Sequence, residues 1–77
     1  MASETIRALL EQAFPEAAEV AVVDRTGSGD HFHVTVVSHR FGELPLIDQH
    51  RLVNAALGAP LADGTIHELR ITTRGTT

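Results

Sequence analysis

The sequence predicts a single α+β domain over residues 1–77, built as a two-layer α/β sandwich with helices on one face of a three-stranded sheet. Two observations lead to this prediction. Two segments carry apolar residues at helical spacing, and three short segments are rich in β-branched residues, in the order helix, strand, strand, helix, helical turn, strand. With 77 residues and no cysteine, the chain can bury one thin core without disulfide support.

The first helix is predicted over residues 3–14. Four apolar side chains recur there at helical spacing: Ile6, Leu9, Leu10 and Phe14. Ser3 is a suitable N-cap, because its hydroxyl can accept a hydrogen bond from a free N–H of the first turn. Pro15 cannot continue the helix, since its ring removes a backbone donor and clashes with the preceding turn. We therefore expect the helix to end there.

Two strands are predicted next, over residues 17–25 and 31–39, where β-branched side chains accumulate. The connection between them, residues 26–30, contains two glycines that can adopt the positive φ angles of a short hairpin loop. We expect the two strands to pair antiparallel. The loop lacks a lysine and leads into a strand, so it is interpreted as a turn and not as a phosphate-binding loop.

A second helix is predicted within residues 44–58, with Pro45 near its start and Gly58 just past its end. One face of this helix would carry four side chains: Leu46, His50, Val53 and Leu57. A lone histidine beside an apolar stripe is more often packed than ligating, so we expect His50 to be a packed, hydrogen-bonded residue.

The rest of the chain is expected to form one helical turn and one strand. Residues 60–64 (PLADG) would form the turn, and residues 66–73 the third strand, with Leu69 and Ile71 on one side. Residues 74–77 are expected to fray.

Missing residue types narrow the possible chemistry. The chain contains no cysteine, lysine, tyrosine or tryptophan, so thiolate nucleophiles, Schiff-base lysines and phosphate-loop lysines are excluded. Ser38 and His39 would point to opposite faces of a strand and could not form a nucleophile-base pair. A net charge of -4 disfavours phosphate-backbone binding, and no apolar run is long enough to span a membrane. We expect a cytoplasmic protein that is not an enzyme.

The histidines are the candidate metal ligands, because imidazole binds zinc, copper and iron well. His67, at the start of the third strand, is the first candidate, and His31, at the start of the second strand, is the other. Together they suggest a half-site, meaning part of the ligand set of a metal centre. His33 shares a strand face with His31 but is less favoured, as is His39, since solvated strand faces also tolerate histidine.

Several stretches of the chain resemble the BolA family: HFHVTVVS at 31–38, Phe41, QHRLVNAAL at 49–57 and GTIHEL at 64–69. The resemblance implies a fold related to class II KH domains, with a mixed sheet and a helix-turn-helix-like segment. Two turns depart from the family pattern. Phe41-Gly42-Glu43 stands where the family usually has Phe-x-Gly, and Thr73-Arg74-Gly75 stands where it often has Thr-Pro.

The resemblance also implies partners. BolA-like proteins bind monothiol glutaredoxins and share a 2Fe-2S cluster with them, one iron being held by the glutaredoxin cysteine and a glutathione thiol. The family's C-terminal histidine corresponds to His67, and its second ligand, from the loop between the first two strands, corresponds to His31. Such a cluster is expected only in the complex, and the isolated chain is expected to be a monomer. Two imidazoles can replace two thiolates on one iron, as in Rieske centres.

The leading hypothesis is therefore a non-enzymatic adaptor in iron-sulfur cluster handling, which binds a monothiol glutaredoxin through the shared cluster and a surface that includes Arg51, Arg70 or Arg74. The alternative is a KH-like or helix-turn-helix DNA-binding transcriptional regulator, in which the second helix and these arginines meet DNA. The acidic balance and the absence of lysine weaken this alternative. An interaction module without a metal is the third hypothesis.

Overall fold

The computed structural model describes residues 2–27 and 29–75. The elements follow the predicted order: α1 (Ala2–Ala13), β1 (Glu19–Asp24), β2 (His31–Val37), a 3₁₀ turn (His39–Phe41), α2 (Leu46–Ala56), α3 (Gly58–Ala62) and β3 (Glu68–Arg74). Among these residues, no helix is both long and apolar enough to cross a bilayer.

The three strands form one mixed sheet with β2 in the centre. β1 runs antiparallel to β2, as predicted, and β3 runs parallel to β2. A parallel neighbour requires a long crossover, and α2 and α3 provide it. The register places His31 opposite Glu68 and Val34 opposite both Val22 and Ile71. The predicted three-stranded α+β sandwich is confirmed.

The core lies between the two long helices and one face of the sheet. Alternate residues of β2 are buried on that face: Phe32, Val34 and Val36. The same cluster contains Ile6 and Leu10 of α1. It also contains Val53 of α2 and Leu57, which caps α2. Both helices therefore cover one face, while the opposite face of β2 is only partly buried.

A polar cluster joins the end of α1 to the 3₁₀ turn. The buried Ser38 hydroxyl donates to Glu16 Oε1 (2.9 Å) and accepts a hydrogen bond from the Arg40 backbone N–H (3.2 Å). The Arg40 guanidinium donates to the Ala13 carbonyl (2.9 Å) and lies over the Phe14 ring, 5.4 Å from its centroid. A backbone hydrogen bond, the Ser38 hydroxyl and the Arg40 charge together lower the pKa of the Glu16 carboxyl.

Gln49 connects three further elements through one side chain. Its amide nitrogen donates to the carbonyls of Phe41 (3.2 Å) and Leu44 (2.8 Å), and its oxygen accepts from the Thr73 hydroxyl (2.6 Å). The start of α2 is thus fixed to the preceding loop and to β3.

One prediction near a helix start is wrong, and one near a helix end is right. Ser3 is not an N-cap, because α1 already includes Ala2, a strong helix former, and Ser3 lies within the first turn. The prediction that Gly58 lies just past the end of α2 is confirmed. Leu57 caps α2, and Gly58 begins α3.

Leu46 does not join the buried face of α2 and is 61% exposed. Gln49 holds the first turn of α2 against the loop, so the helix reaches the core only farther along, at Val53 and Leu57.

The strand limits also differ from the prediction. β2 stops at Val37, because the Ser38 hydroxyl caps the 3₁₀ turn that contains His39. β3 begins at Glu68, and Ile66 is buried just before it. Arg74, expected in the frayed tail, pairs with Val37 as the last residue of β3. Of that predicted tail, residues 76 and 77 lie outside the described residues.

Gly75 directly follows β3 and touches the backbone of the loop after the 3₁₀ turn. A Cβ atom at Gly75 would lie 2.7 Å from Gly42 Cα and 2.9 Å from Gly42 N. The lack of a side chain therefore permits this close approach.

Leu57→Ala should lower the free energy of unfolding by about 2–5 kcal/mol, since it leaves a cavity at a fully buried site. Leu46→Ala is the matched control, because Leu46 lies on α2, the helix that Leu57 caps, but is exposed, and it should change that free energy by no more than about 0.5 kcal/mol. Urea unfolding measures both. Equal effects would contradict the assignment of the buried face.

Glu16→Gln should reduce stability at neutral pH and flatten the loss of stability in acid. The pKa of Glu16 is lower in the folded protein than its ordinary 4.5, so its contribution is present above about pH 4.5 and disappears as pH falls through the folded value. Thermal unfolding of both proteins between pH 7 and about pH 3 tests this. Glu11→Gln, which removes an exposed carboxylate of α1, is the control. Its unfolding temperature as a function of pH should follow that of the parent more closely than that of Glu16→Gln does. Parallel profiles for Glu16→Gln and the parent would contradict the expected role.

Candidate functional site

The two histidines predicted to be metal ligands lie side by side at one end of the sheet. His31 begins β2, and His67 directly precedes Glu68, the residue of β3 that pairs with His31. Their ring centroids are 6.4 Å apart, and the rings are nearly perpendicular, at 81°. The His31 side chain is 32% exposed and the His67 side chain 63%. Both imidazoles can therefore be reached from the same patch of surface.

Asp30 lies between the two imidazoles. Its Oδ1 is 2.7 Å from His31 Nδ1, and its Oδ2 is 3.1 Å from His67 Nδ1. Its backbone carbonyl also accepts hydrogen bonds from the N–H groups of His67 (2.7 Å) and Glu68 (3.2 Å). Sequence reasoning missed Asp30. The one sequence feature that could have indicated it is its position directly before His31, because a carboxylate often accepts a hydrogen bond from a metal-bound histidine.

These contacts indicate which ring nitrogens are available. An ionised carboxylate only accepts hydrogen bonds, so neutral rings facing Asp30 donate from Nδ1. The lone pair of each neutral ring is then on Nε2. A hydrogen bond assigns this tautomer to His31, and the 3.1 Å approach of the same carboxylate to His67 Nδ1 favours it for His67, so both Nε2 atoms are potential metal ligands.

Glu68 lies on the other side of His31. Its Oε2 is 3.6 Å from His31 Nε2, and its Oε1 is 3.3 Å from an Arg25 guanidinium nitrogen. Arg25 also donates its backbone N–H to the His31 carbonyl (2.8 Å). The half-exposed Glu68 carboxylate would have to move aside for a metal ion to reach His31 Nε2.

The donor set fits part of a metal centre. Within residues 2–27 and 29–75, no group of three or more histidine or carboxylate side chains is arranged to hold a metal ion. Two imidazoles bound to one tetrahedral ion at about 2.0–2.1 Å would have centroids on the order of 5 Å apart. The observed 6.4 Å is wider, and a turn of the exposed His67 side chain would reduce it. The pair can supply two ligands while others come from elsewhere.

The other three histidines do not join this pair. His33 shares a sheet face with His31, but its Nε2 is 2.8 Å from Thr72 Oγ1. His39 lies beyond the far end of β2, and that strand alone spans about 20 Å at 3.3 Å per residue. His50 is partly buried on α2, and its expected packing and hydrogen bonding stay a prediction.

The three arginines predicted to form a partner or nucleic-acid surface are divided between the two layers. Arg70 and Arg74 are exposed on the sheet face opposite the core, since they alternate with the inward-facing residues of β3. Arg51 is on α2, and 3.6 Å separates its guanidinium from Asp48 Oδ1. Arg70, which pairs with His33, lies near the imidazole pair along the sheet.

Comparison with known proteins supports the resemblance seen in the sequence. The family model described as BolA-like protein matches residues 7–77. BolA-like protein 1 of Bos taurus is 45% identical over 75 residues, covering 90% of this chain and 55% of that protein. The DNA-binding transcriptional regulator BolA of Vibrio cholerae is 53% identical over 47 residues, covering 61% of this chain and 43% of that protein. The chain thus spans about half the length of these curated relatives.

The fold agrees with a solved structure from the same group. BolA1 from Arabidopsis thaliana superposes with a TM-score of 0.87 at 28% identity, covering 97% of this chain and 92% of that one.

Proposed function

The chain belongs to the BolA-like family, and we propose that it is a non-enzymatic adaptor that shares a 2Fe-2S cluster with a monothiol glutaredoxin. The observation that carries this proposal is the pair of imidazoles, His31 and His67, which face one carboxylate through Nδ1. Histidine nitrogens replace two cysteine thiolates on one iron in Rieske-type clusters. The same ligand type is present here at the start of β2 and just before the neighbouring strand β3.

The number of ligands supports sharing. A 2Fe-2S cluster takes four ligands besides its sulfides, and this chain, which has no cysteine, offers a pair of imidazoles. The remaining ligands must come from another molecule that carries thiols. We propose that this molecule is a monothiol glutaredoxin with glutathione, as the family resemblance implies, so a cluster is expected in the complex and not in the isolated chain.

The exposure of the pair supports ligation across an interface. The His67 side chain is 63% exposed, so a partner can approach it without unfolding any element of this chain. A partner seated over the imidazoles and the neighbouring open sheet face would meet Arg70 before Arg51, which lies on the helical layer. We therefore place the contact surface on the side of Arg70 and Arg74.

His67→Ala should abolish the visible absorption and circular dichroism of the cluster-bridged complex, because one of the two imidazoles is removed. The fold should survive, with a change in unfolding free energy of no more than about 0.5 kcal/mol, since the side chain is mostly exposed. The measurement is a titration of a cluster-loaded monothiol glutaredoxin with each variant.

His33→Ala is the matched control for this titration. This variant removes an imidazole at the same end of the sheet, and the Nε2 atom of that imidazole contacts Thr72. The spectrum of the complex should therefore stay unchanged. The proposal fails if His67→Ala forms a complex with the parent spectrum and the parent resistance to a chelator.

A second candidate function is DNA binding in transcription, because the Vibrio cholerae relative is named a DNA-binding transcriptional regulator. The charges of this chain oppose it. Ten carboxylates outnumber six arginines, and the candidate arginines lie on two different layers. A protein that neutralises few phosphates binds duplex DNA weakly.

We expect binding to random duplex DNA no tighter than about 10⁻⁶ M at physiological salt, with a shallow dependence on salt concentration because few counterions are released. Fluorescence anisotropy over a salt series measures both quantities. Arg51→Ala tests whether α2 contributes, and it should have little effect. Sequence-specific binding tighter than about 10⁻⁸ M would instead make transcriptional regulation the leading function.

A further inference from the structure

We infer that Asp30 is a positioning residue that fixes the tautomer and the orientation of both His31 and His67, so that their Nε2 atoms are the ones presented to a metal. The metal-binding consequence rests on the proposed function. The tautomers and ring orientations are properties of the chain alone, so they can be tested without a partner.

The carboxylate is placed to act on both rings together. Its two oxygens point to different imidazoles, at 2.7 Å from His31 Nδ1 and 3.1 Å from His67 Nδ1. These rings belong to segments that are 36 positions apart in the sequence. One side chain thus links the start of β2 to the start of β3 at the candidate site.

The backbone of Asp30 fixes this geometry further. Its carbonyl accepts hydrogen bonds from the N–H groups of His67 and Glu68, so the main chain beside the carboxylate is held against the main chain that carries the second ring. These backbone contacts do not depend on the side chain at position 30. A substitution of Asp30 can therefore alter the rings while the two segments stay together.

An aspartate has the chemistry that this position requires. A carboxylate offers two acceptors, one for each Nδ1–H, whereas an asparagine would offer one acceptor and one donor. The donor of an asparagine would face one Nδ1 and favour the tautomer with its proton on Nε2, which removes that nitrogen as a ligand. Glu68 cannot replace Asp30, because it approaches His31 from the Nε2 side.

The first experiment reads the tautomers directly. Long-range ¹H–¹⁵N spectra of the isolated chain, at a pH of about 8 where ordinary imidazoles are neutral, distinguish a proton on Nδ1 from one on Nε2. The parent should carry both protons on Nδ1. Asp30→Asn should move one of them to Nε2, and Asp30→Ala should move both rings toward the Nε2–H form that free histidine prefers.

Glu68→Gln is the control for charge. It removes a carboxylate beside His31 without touching either Nδ1, so both rings should keep the parent tautomer. Backbone amide spectra of each variant verify the fold. The inference is overturned if the parent rings are protonated on Nε2, or if Asp30→Ala leaves both tautomers unchanged.

The second experiment measures the rate at which a chelator removes iron from the complex with cluster-loaded glutaredoxin. The Asp30→Ala complex should lose its iron faster than the parent complex, because lost outer contacts to metal-bound histidines lower metal affinity by about 10–100-fold. The Glu68→Gln complex should lose iron at the parent rate. If the parent rings carry their protons on Nδ1 only when Asp30 is present, but the parent forms no complex with the glutaredoxin, the positioning role is supported and the proposed function is refuted. An Asp30→Ala complex as stable as the parent complex would refute the role of Asp30 in ligation.

Discussion

The parallel register between β2 and β3 is the constraint on which the site depends. It places His31 opposite Glu68, so the residue before Glu68, His67, falls beside the first residue of the central strand. A shift of β3 by one position would reverse its faces and bury arginines in place of Leu69 and Ile71. The burial of the core face therefore protects the alignment of the imidazoles. The stability of the sheet and the geometry of the site have the same origin.

The chain combines this rigid alignment with an exposed ligand. His31 begins a strand that is paired on both sides, whereas His67 lies in the short segment before an edge strand and is 63% exposed. Such an arrangement suits a site completed by a partner, since one ligand is fixed by the sheet and the other is open to the partner's approach. The negative charges of Asp30 and Glu68 surround the pair, and Arg25 offsets part of that charge through Glu68.

The sequence predicted the features that depend on local patterns. Periodicity identified both long helices and all three strands, and imidazole chemistry selected His31 and His67. Asp30 could not be predicted, because its role arises only when the register of two distant strands brings a second ring to its carboxylate. The end of β2 was missed because the Ser38 hydroxyl competes with the strand by capping the next turn. The exposure of Leu46 was missed because Gln49, a polar residue, determines where α2 begins to contact the core.

The contact between Gly75 and Gly42 connects the two turns at which the sequence is expected to differ from the BolA family. Since a side chain at position 75 would collide with the backbone of Gly42, the conformations of these turns are not independent. The end of the last strand and the loop after Phe41 are therefore coupled through this contact. Substitutions at both positions should have effects on stability that do not add, and the outcome at either position would depend on the residue at the other.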